Sequence, residues 1–145
     1  MADPIEAFRE RVSALRGSPA PAFRSWSLAR AIAHCAQSIE CSMTRYPKLR
    51  SGLFRATIGP IVKRRFLRAH SMSHDVTAPI AGAAEISDAI PLDEACDRAL
   101  AAARAFSAFD GMLAPHLAYG WCTKPEYAEL HLLHFDDHAR KYGAS

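Results

Sequence analysis

The sequence lacks the patterns that identify many metal and nucleotide sites. Its four cysteines, at positions 35, 41, 96 and 122, form no CxxC pair, so no zinc finger is expected and the thiols are predicted to be free in a reducing cytoplasm. No HExxH occurs, which excludes a zincin, and no Glu-x-x-His occurs, which disfavours a ferritin-like di-iron site. A Gly-rich phosphate loop and a G-x-S-x-G elbow are also absent.

Long apolar runs are missing as well. None approaches the roughly 18–20 residues that span a bilayer, and the N-terminus has no basic region followed by an apolar one. Half of the 145 residues are hydrophobic and 23% are charged, an ordinary globular composition. We therefore expect one cytoplasmic domain over residues 1–145, with no membrane contact.

Acidic residues are absent from Cys41 to His74, a stretch with eight lysines and arginines. A solvated face is the better interpretation of this basic segment (residues 45–68), and contact with an anionic small substrate is the second. Residues 48–70 contain only Phe54 and Phe66 as aromatics and no nucleic-acid motif. A nucleic-acid partner is therefore not expected.

No strand-like alternation is present, and the apolar spacing predicts an all-α fold. Helices are expected at residues 4–16, 26–46 (with Ser25 as the N-cap), 60–69 and 92–109. A capping box at residues 123–126 begins the last helix. Residues 1–20 are a helix and linker, and residues 71–90 an irregular connection, either a crossover or a lid. We expect an up-down bundle of four main helices with an extra short helix and a long crossover loop.

The last helix carries three histidines on one face. At about 100° per residue, His131, His134 and His138 fall within roughly 60° of one another, on the side that the helix should bury. Burying one imidazole without a partner costs a few kcal/mol. Neutral imidazole is the commonest protein ligand for divalent transition metals, so the stripe predicts a metal site.

Two of these histidines have the better spacing for a common ion. His134 and His138 are four residues apart, which points both rings at one metal. A third ligand must come from a facing helix, and His34 is the best candidate, although its flank of small residues is by itself more typical of a surface histidine or of a hydrogen-bond partner of the ligands. Three imidazoles leave a position open for water or substrate. They suit zinc, nickel, iron and copper alike.

The remaining histidines have weaker assignments. His131 is interpreted as a hydrogen-bond partner of the ligands or as a core residue. The third interpretation, an alternative metal ligand, is less favoured. His116 and Tyr119 are candidates for the pocket mouth, where His116 would serve as acid or base, and a turn-stabilising role is equally open. His70 and His74, in the irregular connection, are expected to be exposed rather than ligating.

Two stretches resemble a known family. Residues 26–40 (Trp-Ser-Leu-Ala-Arg-Ala-Ile-Ala-His-Cys-Ala-Gln-Ser-Ile-Glu) are similar to the first histidine motif of the DinB-like superfamily. Residues 115–120 (Pro-His-Leu-Ala-Tyr-Gly), with the pattern Tyr127-x-x-x-His131-x-x-His134-x-x-x-His138, resemble the C-terminal motif of its branch catalogued as domain of unknown function 1569. The resemblance covers roughly residues 20–143.

The resemblance implies a four-helix bundle that binds a divalent metal through His34, His134 and His138 and forms a homodimer. Some members resemble transferases that join a low-molecular-weight thiol to an electrophile. The expected function is therefore a metal-dependent transferase or hydrolase acting on a small substrate. The alternative is a non-catalytic metal- or ligand-binding stress-response module, and a bundle with unmetallated core histidines is the third possibility.

Overall fold

The computed structural model describes residues 2–143 and contains six α-helices and no strand within that range. The all-α prediction is confirmed. In chain order the helices are α1 (Pro4–Ala14), α2 (Leu28–Met43), α3 (Gly52–Ala56), α4 (Ile58–Ala69), α5 (Leu92–Ala108) and α6 (Lys124–Lys141). None of them is long and apolar enough to cross a membrane.

Four of the helices surround the main core. Helix α2 packs along α5, α1 contacts α5 and α6, and α6 also contacts α2. Small side chains at Ala33 and Ala36 on α2 and at Ala99 and Ala103 on α5 are fully buried, which lets the two backbones approach closely. The up-down order of the helices stays a prediction.

The start of α2 differs from the prediction. Its N-cap is Ser27, whose side chain accepts a hydrogen bond from the Arg30 amide, and the predicted Ser25 cap is wrong. Phe23 and Trp26 exchange two backbone hydrogen bonds across Arg24, which adopts a positive φ of 55°. This turn keeps the chain out of helical geometry until Ser27.

Helix α4 packs on α6, but its buried residues are Gly59 and Lys63 rather than its large apolar side chains. Ile61 is 66% exposed. The Lys63 ammonium donates hydrogen bonds to the Trp121 carbonyl and the Glu126 carboxylate, at 3.1 and 2.9 Å. Hydrogen bonds offset the cost of burying the charge, so this lysine can occupy the inner face.

Residues 70–91 contain no helix, in agreement with the irregular connection expected at 71–90. The beginning of this connection is fixed to α6 by two hydrogen bonds. Arg140 donates to the Met72 carbonyl at 2.8 Å, and the His74 amide donates to Asp137 at 2.9 Å. The connection therefore brings its first residues onto the helix that carries the histidine stripe.

Candidate metal centre

Helix α6 begins at the predicted capping box. The Glu126 amide donates to the Thr123 hydroxyl at 3.3 Å, and the Thr123 amide donates to the Glu126 carboxylate at 2.9 Å. The helix then buries Tyr127, His131 and His138 on one side. Local sequence thus determines which face of α6 turns toward the core.

Three histidines come together between α2 and α6. One ring nitrogen from each of His34, His134 and His138 lies within 4.8 Å of the other two. The His134 and His138 Nε2 atoms are 3.1 Å apart. The His34 ring centroid lies 5.0 Å from that of His134 and 5.1 Å from that of His138. This group could hold a metal ion.

The surroundings keep the three imidazoles neutral. Burial, with repulsion from His74 and Arg30, lowers the pKa of His34 to about 4. Burial and the neighbouring histidines lower the pKa of His138 to about 2, and that of His134 falls well below its ordinary value for the same reasons. Neutral imidazole is the form that binds a metal, so little proton competition is expected at neutral pH.

The side chains around the group fit an ion. The His138 Nδ1 is buried without a hydrogen-bond partner, and Trp26 stacks on the same ring at 6.2 Å while meeting the His34 ring edge-on at 5.2 Å. An unpaired buried nitrogen costs free energy. The histidine rings of the group satisfy one another's hydrogen-bonding nitrogens poorly. Coordination of a metal by these nitrogens is a physical reason for placing the rings together.

His34 is buried, with 5% of its surface exposed, unlike the surface histidine that its flank alone suggested. Its neighbours on that flank include Ala31 and Ser38, which are also buried. Small side chains leave room for the imidazoles of α6. The flank of small residues is therefore the face that α2 turns toward the histidine cluster.

A cavity of about 260 Å³ adjoins the group, and both His34 and His134 line it. Its wall is largely apolar and comes from α2, from the residues after α4, from the turn before α6 and from α6 itself. The other lining residues are Ser38, Met72, His74, Asp75, Ala78, Pro79, Ile80, Ala81, His116, Leu117, Ala118, Tyr119, Tyr127, Leu130 and His131. The basic segment contributes no residue to this lining.

His74 was not predicted at the site, yet it stands beside the three histidines. Its ring centroid lies 4.8 Å from that of His134 and 5.1 Å from that of His138. The Nδ1 is 2.7 Å from Oδ2 of Asp137, whose side chain is only 3% exposed. No sequence spacing signals this histidine, because a long-range contact brings it to α6.

His131 contacts Ser42 and is not part of the three-histidine group. Its Nε2 is 3.1 Å from the Ser42 hydroxyl, which itself donates to the Ile39 carbonyl at 2.6 Å. The imidazole Nε2–H must therefore donate to Ser42. Burial lowers the pKa of His131 to about 3. This geometry favours the core interpretation over that of an alternative ligand.

His116 and Tyr119 both line the cavity, but His116 is engaged in its own turn. Its Nδ1 accepts hydrogen bonds from the Ala118 and Tyr119 amides at 3.1 and 3.2 Å, and its ring stacks on Tyr119 at 4.2 Å. Burial lowers the pKa of His116 to about 3 and raises that of Tyr119 to about 12. These contacts favour the turn-stabilising role, and their catalytic role stays a prediction.

His70 ends α4 with a positive φ of 46° and is exposed, its Nδ1 lying 3.0 Å from the Glu129 carboxylate. It takes no part in the cluster, as expected for a loop histidine. His74, in contrast, is half-buried, with 26% of its side chain exposed, because Asp137 holds its amide against α6. Its expected exposure is therefore wrong, and whether it binds a metal is not tested by its position.

Comparison with known proteins gives one match. The model of a family described as "Protein of unknown function (DUF1569)" matches residues 3–143. A search of curated proteins found no match, and a search of solved structures found none either. The wider likeness to the DinB-like superfamily stays a prediction.

Proposed function

Because the chain belongs to this family of unknown function, we propose its function from the site itself. The protein binds a divalent transition metal through His34, His134 and His138. It uses the metal as a transferase or hydrolase acting on a small molecule in the adjoining cavity. When bound, the metal would polarise its substrate or lower the pKa of a coordinated water or thiol.

One observation carries this proposal. The three imidazoles converge at the wall of a cavity, and two of them, His34 and His134, line it. An ion held only for stability is normally enclosed by four protein ligands, whereas a reactive ion keeps a position for water or substrate. Three convergent ligands beside a cavity fit the second arrangement.

The cavity indicates the kind of substrate. Its volume of about 260 Å³ suits a small molecule, and its wall is mainly apolar by area, with Tyr119 and the histidines among its polar residues. Burial raises the pKa of Tyr119 to about 12, so the phenol stays protonated and can donate a hydrogen bond. We propose a low-molecular-weight thiol as one reactant. The basic segment contributes no residue to the cavity wall. An anionic group of the substrate could therefore contact that segment only from outside the cavity.

The proposal includes zinc, nickel or iron as the metal and a DinB-like up-down four-helix bundle as the scaffold. It also includes a homodimer in the cytoplasm. Light scattering of the purified protein tests the dimer independently of the metal, because a monomer at micromolar concentration would contradict it without affecting the site.

A specific observation favours a second candidate function. His74 brings a fourth imidazole to the cluster, and four protein ligands are typical of a closed structural ion. The protein would then be a non-catalytic metal-binding module. Chelation separates the two functions: a large loss of thermal stability favours the structural ion, while an unchanged fold with lost turnover favours catalysis.

Metal analysis of protein purified without an affinity tag tests the proposal directly. We expect close to one divalent metal ion per chain, either as isolated or after addition of zinc or nickel. The variants His134→Ala and His138→Ala should lose it, and His70→Ala, an exposed histidine outside the cluster, is the control. No metal in the wild type and none taken up would end the proposal.

A further inference from the structure

His74 is placed like a member of the metal group although it comes from another part of the chain. Its ring centroid lies 4.8 and 5.1 Å from those of His134 and His138. Those distances match the 4.8–5.1 Å that separate the three rings of the group from one another. Its Nε2 is buried and has no hydrogen-bond partner. A histidine held in the core for packing alone would leave that nitrogen unsatisfied.

Asp137 supplies the second observation. Its Oδ2 accepts the His74 amide at 2.9 Å and lies 2.7 Å from the His74 Nδ1, although the ring is not oriented for a hydrogen bond. Arg140 donates to Oδ1 at 2.7 Å. Metal-binding histidines commonly donate their other ring N–H to a carboxylate, which fixes the tautomer and leaves the second nitrogen free for the ion. The 2.7 Å distance lets Asp137 take this role once the ring reorients on ion binding, with the proton on Nδ1 and the lone pair on Nε2.

The structure also anchors the main chain around His74. Arg140 holds the Met72 carbonyl, and Asp137 holds the His74 amide. Both contacts come from the last two turns of α6, which also carries His134 and His138. The position of His74 relative to these two ligands is therefore determined by one helix, even though the residue belongs to the connection.

We propose that His74 is the fourth ligand of the metal and that Asp137 is its positioning residue. This inference rests on the proposed metal site and deepens it. The His74 ring lies beside those of His134 and His138, but its nitrogens are not among the three that converge within 4.8 Å, so ion binding requires its ring to reorient. The site then contains three histidines from helices and one from the connection.

The consequence concerns access to the ion. Four imidazoles complete a tetrahedral coordination sphere, which is the closed ion of the second candidate function. In the first candidate function, a substrate must therefore displace His74 or expand the coordination number. The connection that carries His74 also contributes Met72, Asp75, Pro79 and Ile80 to the cavity wall. The connection thus forms part of the cavity wall and also supplies the proposed fourth ligand.

Cobalt(II) titration of the apoprotein tests this assignment, because the visible absorption of cobalt(II) reports its ligands. The variants are His74→Ala, His74→Gln and Asp137→Asn, with His70→Ala as the control in the same connection. Both His74 variants should change the cobalt spectrum and weaken binding by at least about 10-fold. The change Asp137→Asn should keep the spectrum close to the wild type while weakening binding by about 10–100-fold.

Thermal unfolding of each apoprotein separates a lost ligand from a damaged fold, and His74→Gln preserves the volume of the side chain if His74→Ala unfolds. A wild-type spectrum and affinity in both His74 variants would overturn the assignment of His74 as the fourth ligand. The three-histidine site would still stand in that case if His134→Ala abolishes binding. No cobalt uptake by the wild type would end the metal site and this inference together.

Discussion

The Nε2 atoms of His134 and His138 lie 3.1 Å apart, one turn from each other on α6. In the metal-free protein one of the two nitrogens must carry a hydrogen and donate it to the other. A metal ion takes the lone pairs of both nitrogens, so the hydrogen must move to Nδ1 or leave when the ion binds. In the metal-free protein, this hydrogen bond therefore joins the same two nitrogens that a bound metal would join.

Removing either partner of this contact should remove the metal. His134→Ala and His138→Ala each delete a ligand nitrogen, and we expect affinity for zinc or nickel to fall by more than about 100-fold, beyond the 10–100-fold typical of outer residues. Competition with a chelating dye measures this. The matched control is His131→Gln, three residues from His134 but bonded to Ser42. Equal losses in all three variants would contradict the assignment of ligands.

Sequence alone predicted the parts of the site that depend on local spacing. The capping box at Thr123 and Glu126 fixes the register of α6, and helical periodicity then places His134 and His138 on the same buried face. His34 required the further assumption that α2 and α6 face each other. The expected helix bundle supplied that pairing and the resemblance implied the same set, while the small residues around His34 gave the physical reason only once the helices were seen to pack.

The rest of the site depends on contacts that periodicity does not encode. Asp137 lies at the edge of the apolar arc of α6, where a surface residue is expected, yet Arg140 and the His74 amide compensate its burial. His74 lies in a segment without a regular pattern, 60 residues before His134 in the chain. Helix α3 was missed because five residues with one glycine give too short a pattern.

Binding of a paramagnetic metal should quench the fluorescence of Trp26. Its indole stacks on the His138 ring at a centroid distance of 6.2 Å and meets the His34 ring at 5.2 Å. The sequence has only one other tryptophan, Trp121, which is 67% exposed. In the variant Trp121→Phe we expect copper(II) or nickel(II) to quench the remaining emission with saturation, and zinc to quench it much less. The variant Trp26→Phe should lose the saturable response, and a response that persists there would place the ion elsewhere.

Acid should destabilise the metal-free protein through His131. Burial lowers its pKa to about 3 in the folded state, against about 6.5 in an unfolded chain. The unfolded chain thus binds more protons below pH 6.5, and the free energy of unfolding falls as the pH drops from about 6.5 toward 3, by up to about 1.4 kcal/mol per pH unit for this residue. The variant His131→Gln should show a shallower slope in urea unfolding between pH 7 and 4.5, with a chelator present.

Ser42→Ala is the matched control for that experiment. It removes the hydroxyl that His131 contacts at 3.1 Å but keeps the buried imidazole, so stability should fall at every pH while the slope stays. If the free energy of unfolding has the same pH dependence in His131→Gln and in the wild type, the lowered pKa of His131 does not contribute to acid sensitivity. His116, whose pKa burial lowers to about 3, would then be the next residue to test.

Gly59 should tolerate no side chain, because α4 approaches the turn before α6 very closely there. A Cβ at this position would lie 2.0 Å from the Ala118 carbonyl oxygen and 3.1 Å from the Tyr119 Cα. Both atoms belong to the main chain of the turn that His116 holds through its two accepted hydrogen bonds. Gly59→Ala must therefore move either α4 or that turn, and we expect a loss of about 1–3 kcal/mol in the free energy of unfolding.

Helix propensity opposes this loss, since alanine within a helix is favoured over glycine by up to about 1 kcal/mol. Gly52→Ala separates the two effects, because Gly52 is also helical but a methyl group added there would have nothing within 4 Å, and its stability should rise slightly or stay the same. Urea unfolding of both variants measures the difference. If Gly59→Ala is as stable as Gly52→Ala, the close approach of α4 to Ala118 is relieved without cost, and the turn that lines the cavity is free to shift with α4.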